Sequence, residues 1–126
     1  MRILVTGGAG YIGSHAVRLF LGRGHDAWVL DNLSFGHRQA VPAERLVVAD
    51  LNELHRIDQV LLEKRIVAVV HFGAFAFVGE SVQHPAKYYQ NNLINTLNLM
   101  DCARRHGVGK FVFSSTCATY GTPEKV

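Results

Sequence analysis

The chain has 126 residues, of which 48% are hydrophobic and 18% charged, and its formal net charge is +3 at pH 7. These values are typical of a single globular domain and exclude a disordered chain. The longest apolar runs, such as residues 66–70, are too short to span a bilayer, and the basic residues are dispersed rather than clustered. We therefore expect no membrane and no nucleic acid among its partners and, because the first apolar run does not resemble a secretory signal, a cytoplasmic location.

Short apolar runs alternate along the chain with longer stretches of helical periodicity. The apolar runs, which predict buried strands, are residues 3–5, 27–30, 46–49, 67–72 and 111–113. Their near-continuous apolar character indicates a parallel sheet that is covered on both faces by crossover helices. We therefore predict an α/β domain over residues 1–126, with a doubly wound parallel sheet of about five strands.

Three helices are predicted between these strands. The first begins near Tyr11 and is terminated by Gly24, the second covers residues 52–64, and the third covers residues 85–106. Their apolar stripes are Ile12, Ala16, Leu19 and Phe20 in the first helix, Leu54, Ile57, Leu61 and Leu62 in the second, and Tyr89, Leu93, Leu97 and Met100 in the third. The third stripe is expected to face the sheet, with Ile94 and Leu99 lying off it.

A glycine-rich turn follows the first predicted strand directly. Gly7, Gly10 and Gly13 are spaced three apart between that strand and the helix that begins near Tyr11. In this setting the first glycine permits a tight turn, the second lets the backbone approach a pyrophosphate, and the third lets the helix pack on the strand. A glycine triplet alone is more often a plain loop, but its place between a strand and an amphipathic helix is typical of a dinucleotide-binding site.

Two carboxylates end the second and third predicted strands. Asp31, eighteen residues past Gly13, is placed to accept hydrogen bonds from both hydroxyls of an adenosine ribose. This favours NAD over NADP, because a 2′-phosphate would meet like charge there and the glycine turn has no arginine to offset it. The alternative is that Asp31 only caps a turn. Asp50 is expected either to reach the adenine amino group or to be the N-cap of the following helix.

Several longer strings give the chain a family resemblance. They are TGGAGYIG at residues 6–13, DNL at 31–33, HFGA at 71–74 with VGESV at 78–82, YYQNN at 88–92 and FSSTCATYG at 113–121. On these strings, residues 2–121 resemble the extended short-chain dehydrogenases/reductases that act on nucleotide sugars, most closely the UDP-glucose 4-epimerases. The resemblance implies a Rossmann-type sheet in the order 3-2-1-4-5, NAD as the cofactor, and a homodimer formed through the long helix. It also implies that UDP-galactose and UDP-glucose are interconverted by transient oxidation at C4 and hydride return.

The resemblance further implies roles for individual residues. Thr116 takes the position of the family's catalytic hydroxyl, and Asn92 supports the central loops. The residues implied to bind the cofactor are Gly7, Gly10, Tyr11, Ile12, Gly13, Asp31, Asn32, Leu33, Ser34, Phe35, Gly36, Asp50, Leu51, Phe72, Gly73, Ala74, Phe75, Ala76, Asn92 and Ser114.

The family's Tyr-x-x-x-Lys pair is missing from these 126 residues, since no tyrosine is followed four positions later by a lysine. In the family, the tyrosine takes the proton from the sugar hydroxyl and the lysine lowers the tyrosine pKa. We therefore expect an N-terminal NAD-binding fragment that lacks its substrate domain and is inactive by itself. The alternatives are a non-catalytic NAD-binding module and another nucleotide-sugar epimerase or dehydratase.

The residues around the predicted catalytic hydroxyl bear on these alternatives. Related 4,6-dehydratases carry an Asp-Glu pair after their catalytic threonine, whereas this chain has Cys117 and Ala118, which favours epimerisation. Without the resemblance, the hydroxyls of residues 114–116 are also explained as turn caps. The histidines lack the spacing of metal ligands, so no metal site is predicted.

Overall fold

The computed structural model describes residues 1–116, 119 and 121. Its centre is an all-parallel, five-stranded sheet in the order β3-β2-β1-β4-β5. The strands are β1 (Arg2–Thr6), β2 (Asp26–Asp31), β3 (Leu46–Val48), β4 (Ala68–His71) and β5 (Lys110–Phe113). The predicted fold class and strand order are confirmed, and each strand begins and ends within about one residue of its predicted bounds.

Helices and turns connect these strands. The helices are α1 (Tyr11–Gly22), α2 (Leu54–Glu63), α3 (Val78–Gln83), α4 (Pro85–Tyr88) and α5 (Asn95–Arg105), with a π-helical segment (Tyr89–Ile94) between α4 and α5. Two short 3₁₀ turns, Arg38–Ala40 and Ala43–Arg45, lie between β2 and β3. The predicted third helix is therefore three consecutive helical segments, and α3 was not predicted. Within the described residues, no helix is long and apolar enough to traverse a lipid bilayer.

Two apolar layers cover the two faces of the sheet. On one face, Leu4 and Val69 pack with Ile57 of α2 and Leu99 of α5. On the other face, buried side chains of β1, β2 and β4 pack against Val17 of α1. This arrangement is the doubly wound one that the continuous apolar strands predicted, because β1, β2 and β4 contribute buried side chains to both layers.

The buried faces of α1 and α2 differ in part from the predicted stripes. Ile12 and Leu19 are 63% and 51% exposed, and α1 instead buries Gly13 and Val17. In α2 the predicted Ile57 and Leu61 are buried, but Leu62 is 67% exposed and Leu54 39%. Val60 completes the buried face of α2 instead. Small side chains on α1 let the helix lie close to the strands, and a stripe drawn through the largest apolar residues misses them.

The prediction for the long helix was wrong about which side faces the sheet. The four stripe residues are exposed: Tyr89 66%, Leu93 51%, Leu97 55% and Met100 46%. The sheet-facing residues of α5 are Asn95, Thr96, Leu99, Cys102 and Ala103. The stripe is intact but faces outward, because α5 packs on the sheet through a row of mostly smaller and partly polar side chains, which a stripe drawn through the largest apolar residues misses.

Candidate functional site

The glycine turn between β1 and α1 is shaped by its own packing at two of its three glycines. Gly7 has φ of 70°, and a Cβ atom on it would lie 2.7 Å from the backbone nitrogen of Gly73. A Cβ atom on Gly13 would lie 2.2 Å from the carbonyl oxygen of Gly7. Neither position has room for a side chain, so both glycines are needed for the fold itself.

Gly10, the middle glycine, is less tightly enclosed than the other two. It is the N-cap of α1 with φ of −76°, and a Cβ atom on it would meet only the carbonyl oxygen of Gly7, at 3.3 Å. Gly10 lines a cleft at the carboxyl edge of the sheet. The first N–H groups of α1 have no intrahelical carbonyl to bind, and the helix dipole makes this end positive. The space beside Gly10 therefore suits an anion that approaches the backbone closely.

Asp31 ends β2 on the opposite side of the same cleft. It is only 7% exposed, and its two carboxylate oxygens accept hydrogen bonds from the backbone N–H groups of Ala9, at 2.9 Å, and Leu33, at 2.8 Å. The carboxylate therefore fixes the glycine turn and the loop that follows β2, a structural role that the sequence analysis offered only as an alternative. Each oxygen has a second lone pair, so acceptor capacity for a ribose hydroxyl remains.

Asp50 follows β3 and is held in a polar cluster beside this loop. The amide of Asn32 donates to its carboxylate at 2.6 Å, and the backbone N–H of Asn52 donates to it at 3.0 Å. The N-cap of α2 is Glu53, so the alternative that Asp50 caps this helix is wrong. The Glu53 side chain instead accepts from the Asp50 backbone N–H at 2.7 Å.

The loop after β4 forms a third wall of the cleft and is held by two asparagines of the π-helical segment. Asn92 accepts from the backbone N–H of Phe75 at 2.9 Å and donates to its carbonyl at 2.8 Å. Asn91 donates to the carbonyl of Gly73 at 3.3 Å. Asn92 thus grips both backbone groups of one loop residue and fixes its position.

Beneath this wall, a buried chain of hydrogen bonds links β1, β4 and α5. The Thr96 hydroxyl donates to the carbonyl of Asn92 at 2.9 Å, so its oxygen is left to accept from Nε2 of His71, also at 2.9 Å. Nδ1 of His71 then accepts from the Thr6 hydroxyl at 2.6 Å. Burial of His71 lowers its pKa to about 4, so the ring is neutral at pH 7. The network fixes the end of β1 relative to the π-helical segment that carries Asn92.

The structure brings many of the predicted cofactor residues together around the cleft and leaves others outside it. Those that line it are Gly7, Gly10, Asp31, Asn32, Phe35, Gly36, Leu51, Phe72, Gly73, Ala74 and Phe75. Those that do not line it are Tyr11, Ile12, Gly13, Leu33, Ser34, Asp50, Ala76, Asn92 and Ser114. Leu30, Ala49 and Asn91 also line it and were missed. The position of Leu30 and Ala49 at strand ends was the available signal, whereas no sequence signal separates Asn91 from Asn92.

The predicted catalytic hydroxyl lies near the end of β5. The backbone N–H of Ser114 donates to the carbonyl of His71 at 3.1 Å, which continues the β4–β5 pairing. The Thr116 side chain is exposed, and its carbonyl accepts from the N–H of Thr119 at 3.2 Å. Cys117 and Ala118, which argued against a dehydratase, lie outside the described residues. Among residues 1–116, 119 and 121, no three His, Cys, Asp or Glu side chains converge on a metal-sized site.

Comparison with known proteins identifies the family to which the chain is similar. The NAD dependent epimerase/dehydratase family matches residues 3–126. The UDP-glucose 4-epimerase of Corynebacterium glutamicum is 50% identical over 127 residues, which covers 100% of this chain and 38% of that protein. The crystal structure of UDP-glucose 4-epimerase from Brucella ovis in complex with NAD matches with a TM-score of 0.91 at 46% identity, over 99% of this chain and 38% of that one. The UDP-Glc/GlcNAc 4-epimerase from Campylobacter jejuni matches with a TM-score of 0.88 at 44% identity, over 98% of this chain and 40% of that one.

The chain therefore spans 38% of the length of the Corynebacterium relative and the same share of the Brucella structure. The predicted family and its cofactor, NAD, are confirmed at the level of the family. The assignment of individual residues to the cofactor and to catalysis stays a prediction. On the match over residues 3–126, the chain belongs to the NAD dependent epimerase/dehydratase family.

Proposed function

We propose that this chain binds NAD and is the NAD-binding part of a UDP-glucose 4-epimerase. The observation that carries the proposal is the space at Gly10, which lies on the cleft between the glycine turn and Asp31. Packing within the protein excludes a side chain at Gly7 and Gly13, whereas a Cβ atom on Gly10 would make one tight contact, with the Gly7 carbonyl oxygen at 3.3 Å. A pyrophosphate against the N-terminus of α1 supplies a further reason for a residue without a side chain at Gly10.

The residues around the cleft fit the parts of NAD. The N–H groups at the start of α1 hold the pyrophosphate, and the spare lone pairs of Asp31 accept from the adenosine ribose. Leu51 and Phe72 supply apolar walls for the adenine, while Asp50 stands beside Asn32 to accept from the adenine amino group. The buried, negatively charged Asp31 disfavours the 2′-phosphate of NADP at the same place.

For the whole protein we propose the interconversion of UDP-galactose and UDP-glucose. Three observations support this: the 50% identity to the Corynebacterium enzyme, the Thr116 hydroxyl beyond β5, and Cys117 and Ala118 in place of a dehydratase Asp-Glu pair. Bound NAD supplies the acceptor for the C4 hydride. Thr116 donates or accepts a hydrogen bond at the sugar hydroxyl, a role that positions the reacting oxygen.

The 126 residues by themselves are proposed to bind NAD without turnover. The sequence has no Tyr-x-x-x-Lys pair, so the pair that takes the C4 hydroxyl proton in the family is missing from these residues. A second candidate function, a non-catalytic NAD-binding module, would use the same cleft and would also bind NAD without turnover. A turnover assay with UDP-galactose on this chain, and on any longer product of the same gene, separates the two.

A matched pair of alanine variants tests the cofactor site. Gly10→Ala adds a methyl group to the cleft at a position with an ordinary φ and one tight contact, with the Gly7 carbonyl oxygen at 3.3 Å. The chain should fold after a small shift of that backbone, and its Kd for NAD should rise tenfold or more. Gly22→Ala adds the same methyl group near the end of the same helix, where nothing lies within 4 Å, and should leave Kd unchanged. Titration calorimetry gives both affinities, and circular dichroism checks the fold.

Equal NAD affinity in Gly10→Ala and the wild type would show that the pyrophosphate does not approach this backbone. Absence of NAD binding by the folded wild-type chain would refute the proposed function altogether. Binding of NADP as tightly as NAD would refute the role given to Asp31.

We also propose that two copies of the whole protein pair through the long helix. The stripe of Tyr89, Leu93, Leu97 and Met100 supports this, because it is turned away from the sheet and leaves large apolar side chains exposed. Sedimentation of Leu97→Ser against the wild type tests it: the variant should dissociate at a higher concentration if this face is the contact.

A further inference from the structure

Four aromatic side chains connect two loops across the mouth of the cleft. The Phe35 ring, from the loop after β2, meets the Phe75 ring edge-on at 5.7 Å and the Phe77 ring at 5.4 Å. Phe75 in turn packs against Tyr88 of α4 at 5.7 Å. Edge-on pairs at these distances are attractive beyond the apolar area that they bury. We call Phe35, Phe75, Phe77 and Tyr88 the aromatic bridge.

The strand order places this bridge over the glycine turn. β2 and β4 lie on either side of β1, so the loops after them stand about 10 Å apart at the carboxyl edge. Phe35 and Phe75 both line the cleft, one from each of these loops. The contact between the two rings therefore crosses above the end of β1, where the glycine turn begins. A ligand held by that turn and by Asp31 would lie beneath the two rings.

One side of the bridge is firmly held. Asn92 fixes both backbone groups of Phe75, and the ammonium of Lys87 lies 4.6 Å from its ring. The Tyr88 hydroxyl donates to the carbonyl of Phe77, at 2.9 Å. On the other side, Phe35 is 54% exposed and its ring contacts are those with Phe75 and Phe77. The backbone of the Phe35 loop is held by the Leu33 bond to Asp31 and by the bond from the His37 N–H to the Ala9 carbonyl, at 3.0 Å. The exposed Phe35 side chain is therefore the part of the bridge that can turn aside.

We propose that the aromatic bridge is a gate on the cofactor cleft, which NAD must open to enter and to leave. The gate rests on the proposed function, because it needs NAD to occupy the cleft. The ring contacts of the bridge join side chains of the protein to one another, so weakening them lowers the barrier to entry and to exit together. A residue that only contacts bound NAD would change the exit rate alone.

Phe77→Leu is the sharpest test, because Phe77 belongs to the bridge but does not line the cleft. Loss of one edge-on pair should raise both the association and the dissociation rate of NAD by about two- to tenfold, with Kd changed by less than about twofold. Phe35→Leu removes two pairs and should accelerate both rates further.

Phe113→Leu is the matched control. Phe113 is 53% exposed, close to Phe35, and lies on β5 outside the bridge, so its loss should leave both rates unchanged. Surface plasmon resonance with NAD over the immobilised chain measures the two rates, and thermal melts show that each variant is folded. Unchanged rates in folded Phe77→Leu and Phe35→Leu, or a rise in the dissociation rate alone, would overturn the gate while leaving NAD binding intact. No NAD binding by the wild type would overturn the proposed function and the gate together.

Discussion

The buried, neutral His71 makes the stability of this domain depend on pH in a range where carboxylates contribute little. Its pKa falls from an ordinary value of 6.5 to about 4, because burial penalises the charged ring. Between those two values the unfolded chain binds a proton that the folded chain does not. The contribution of the neutral His71 ring to the free energy of unfolding is therefore fully present above pH 6.5 and is lost as the pH falls towards 4.

The size of the effect follows from the shift. One pKa unit corresponds to about 1.4 kcal/mol, so a fall from 6.5 to about 4 amounts to roughly 3 kcal/mol of unfolding free energy between pH 7 and pH 4. This is a large share of the roughly 5–15 kcal/mol that stabilises an ordinary domain. The hydrogen-bond network gives the structural reason, because Nδ1 already accepts the Thr6 hydroxyl and a proton there would displace it.

Urea denaturation followed by circular dichroism at pH 7.0, 6.0, 5.0 and 4.5 measures this loss. His71→Gln removes the titrating ring, so its unfolding free energy should fall less steeply with acid than that of the wild type. Parallel slopes for the two proteins between pH 6.5 and 4.5 would refute the reasoning. Where the variant folds poorly, an NMR titration of the wild-type His71 ring decides: an apparent pKa near 6.5 contradicts the account.

Four further variants test the site and the helix assignment. Gly13→Ala should abolish cooperative folding in a thermal melt, because its Cβ atom would lie 2.2 Å from the Gly7 carbonyl oxygen; a native melting temperature would contradict this packing. Asp31→Asn should weaken NAD binding and reduce the preference for NAD over NADP about tenfold in calorimetry, since the charge that repels a 2′-phosphate is gone. Leu99→Ser should cost roughly 3 kcal/mol of stability. Leu97→Ser should cost less than about 1 kcal/mol, and equal losses for the two would contradict the observed face of α5.

The strands and the glycine turn could be predicted from the sequence because their residues follow local rules. A strand buried on both faces needs consecutive apolar residues, and residues 3–5 and 27–30 satisfy this without reference to the rest of the chain. At Gly7 and Gly13 any side chain would collide with backbone, so the spacing of these glycines in the sequence indicates the tight turn. The position of Asp31 at the end of β2 follows from the strand bounds alone.

The helix faces and the support of the cleft depend on contacts that the sequence does not show. The size of an apolar residue does not reveal its direction: Leu97 points outward while Leu99, two residues on, is fully buried. The buried face of α5 includes the polar residues Asn95 and Thr96, which no hydrophobic pattern in residues 85–106 would select. The bond from Ala9 to Asp31 joins residues 22 positions apart, and only the folded sheet brings them together.

A crystal structure of the chain soaked with NAD tests the central claim most directly. The account predicts pyrophosphate oxygens within hydrogen-bond distance of the backbone N–H groups at the start of α1, beside Gly10. It also predicts an adenosine ribose hydroxyl on the Asp31 carboxylate, with the Ala9 and Leu33 bonds to that carboxylate retained. A dinucleotide bound with its phosphates away from the N-terminus of α1, or with its ribose out of reach of Asp31, would contradict the account.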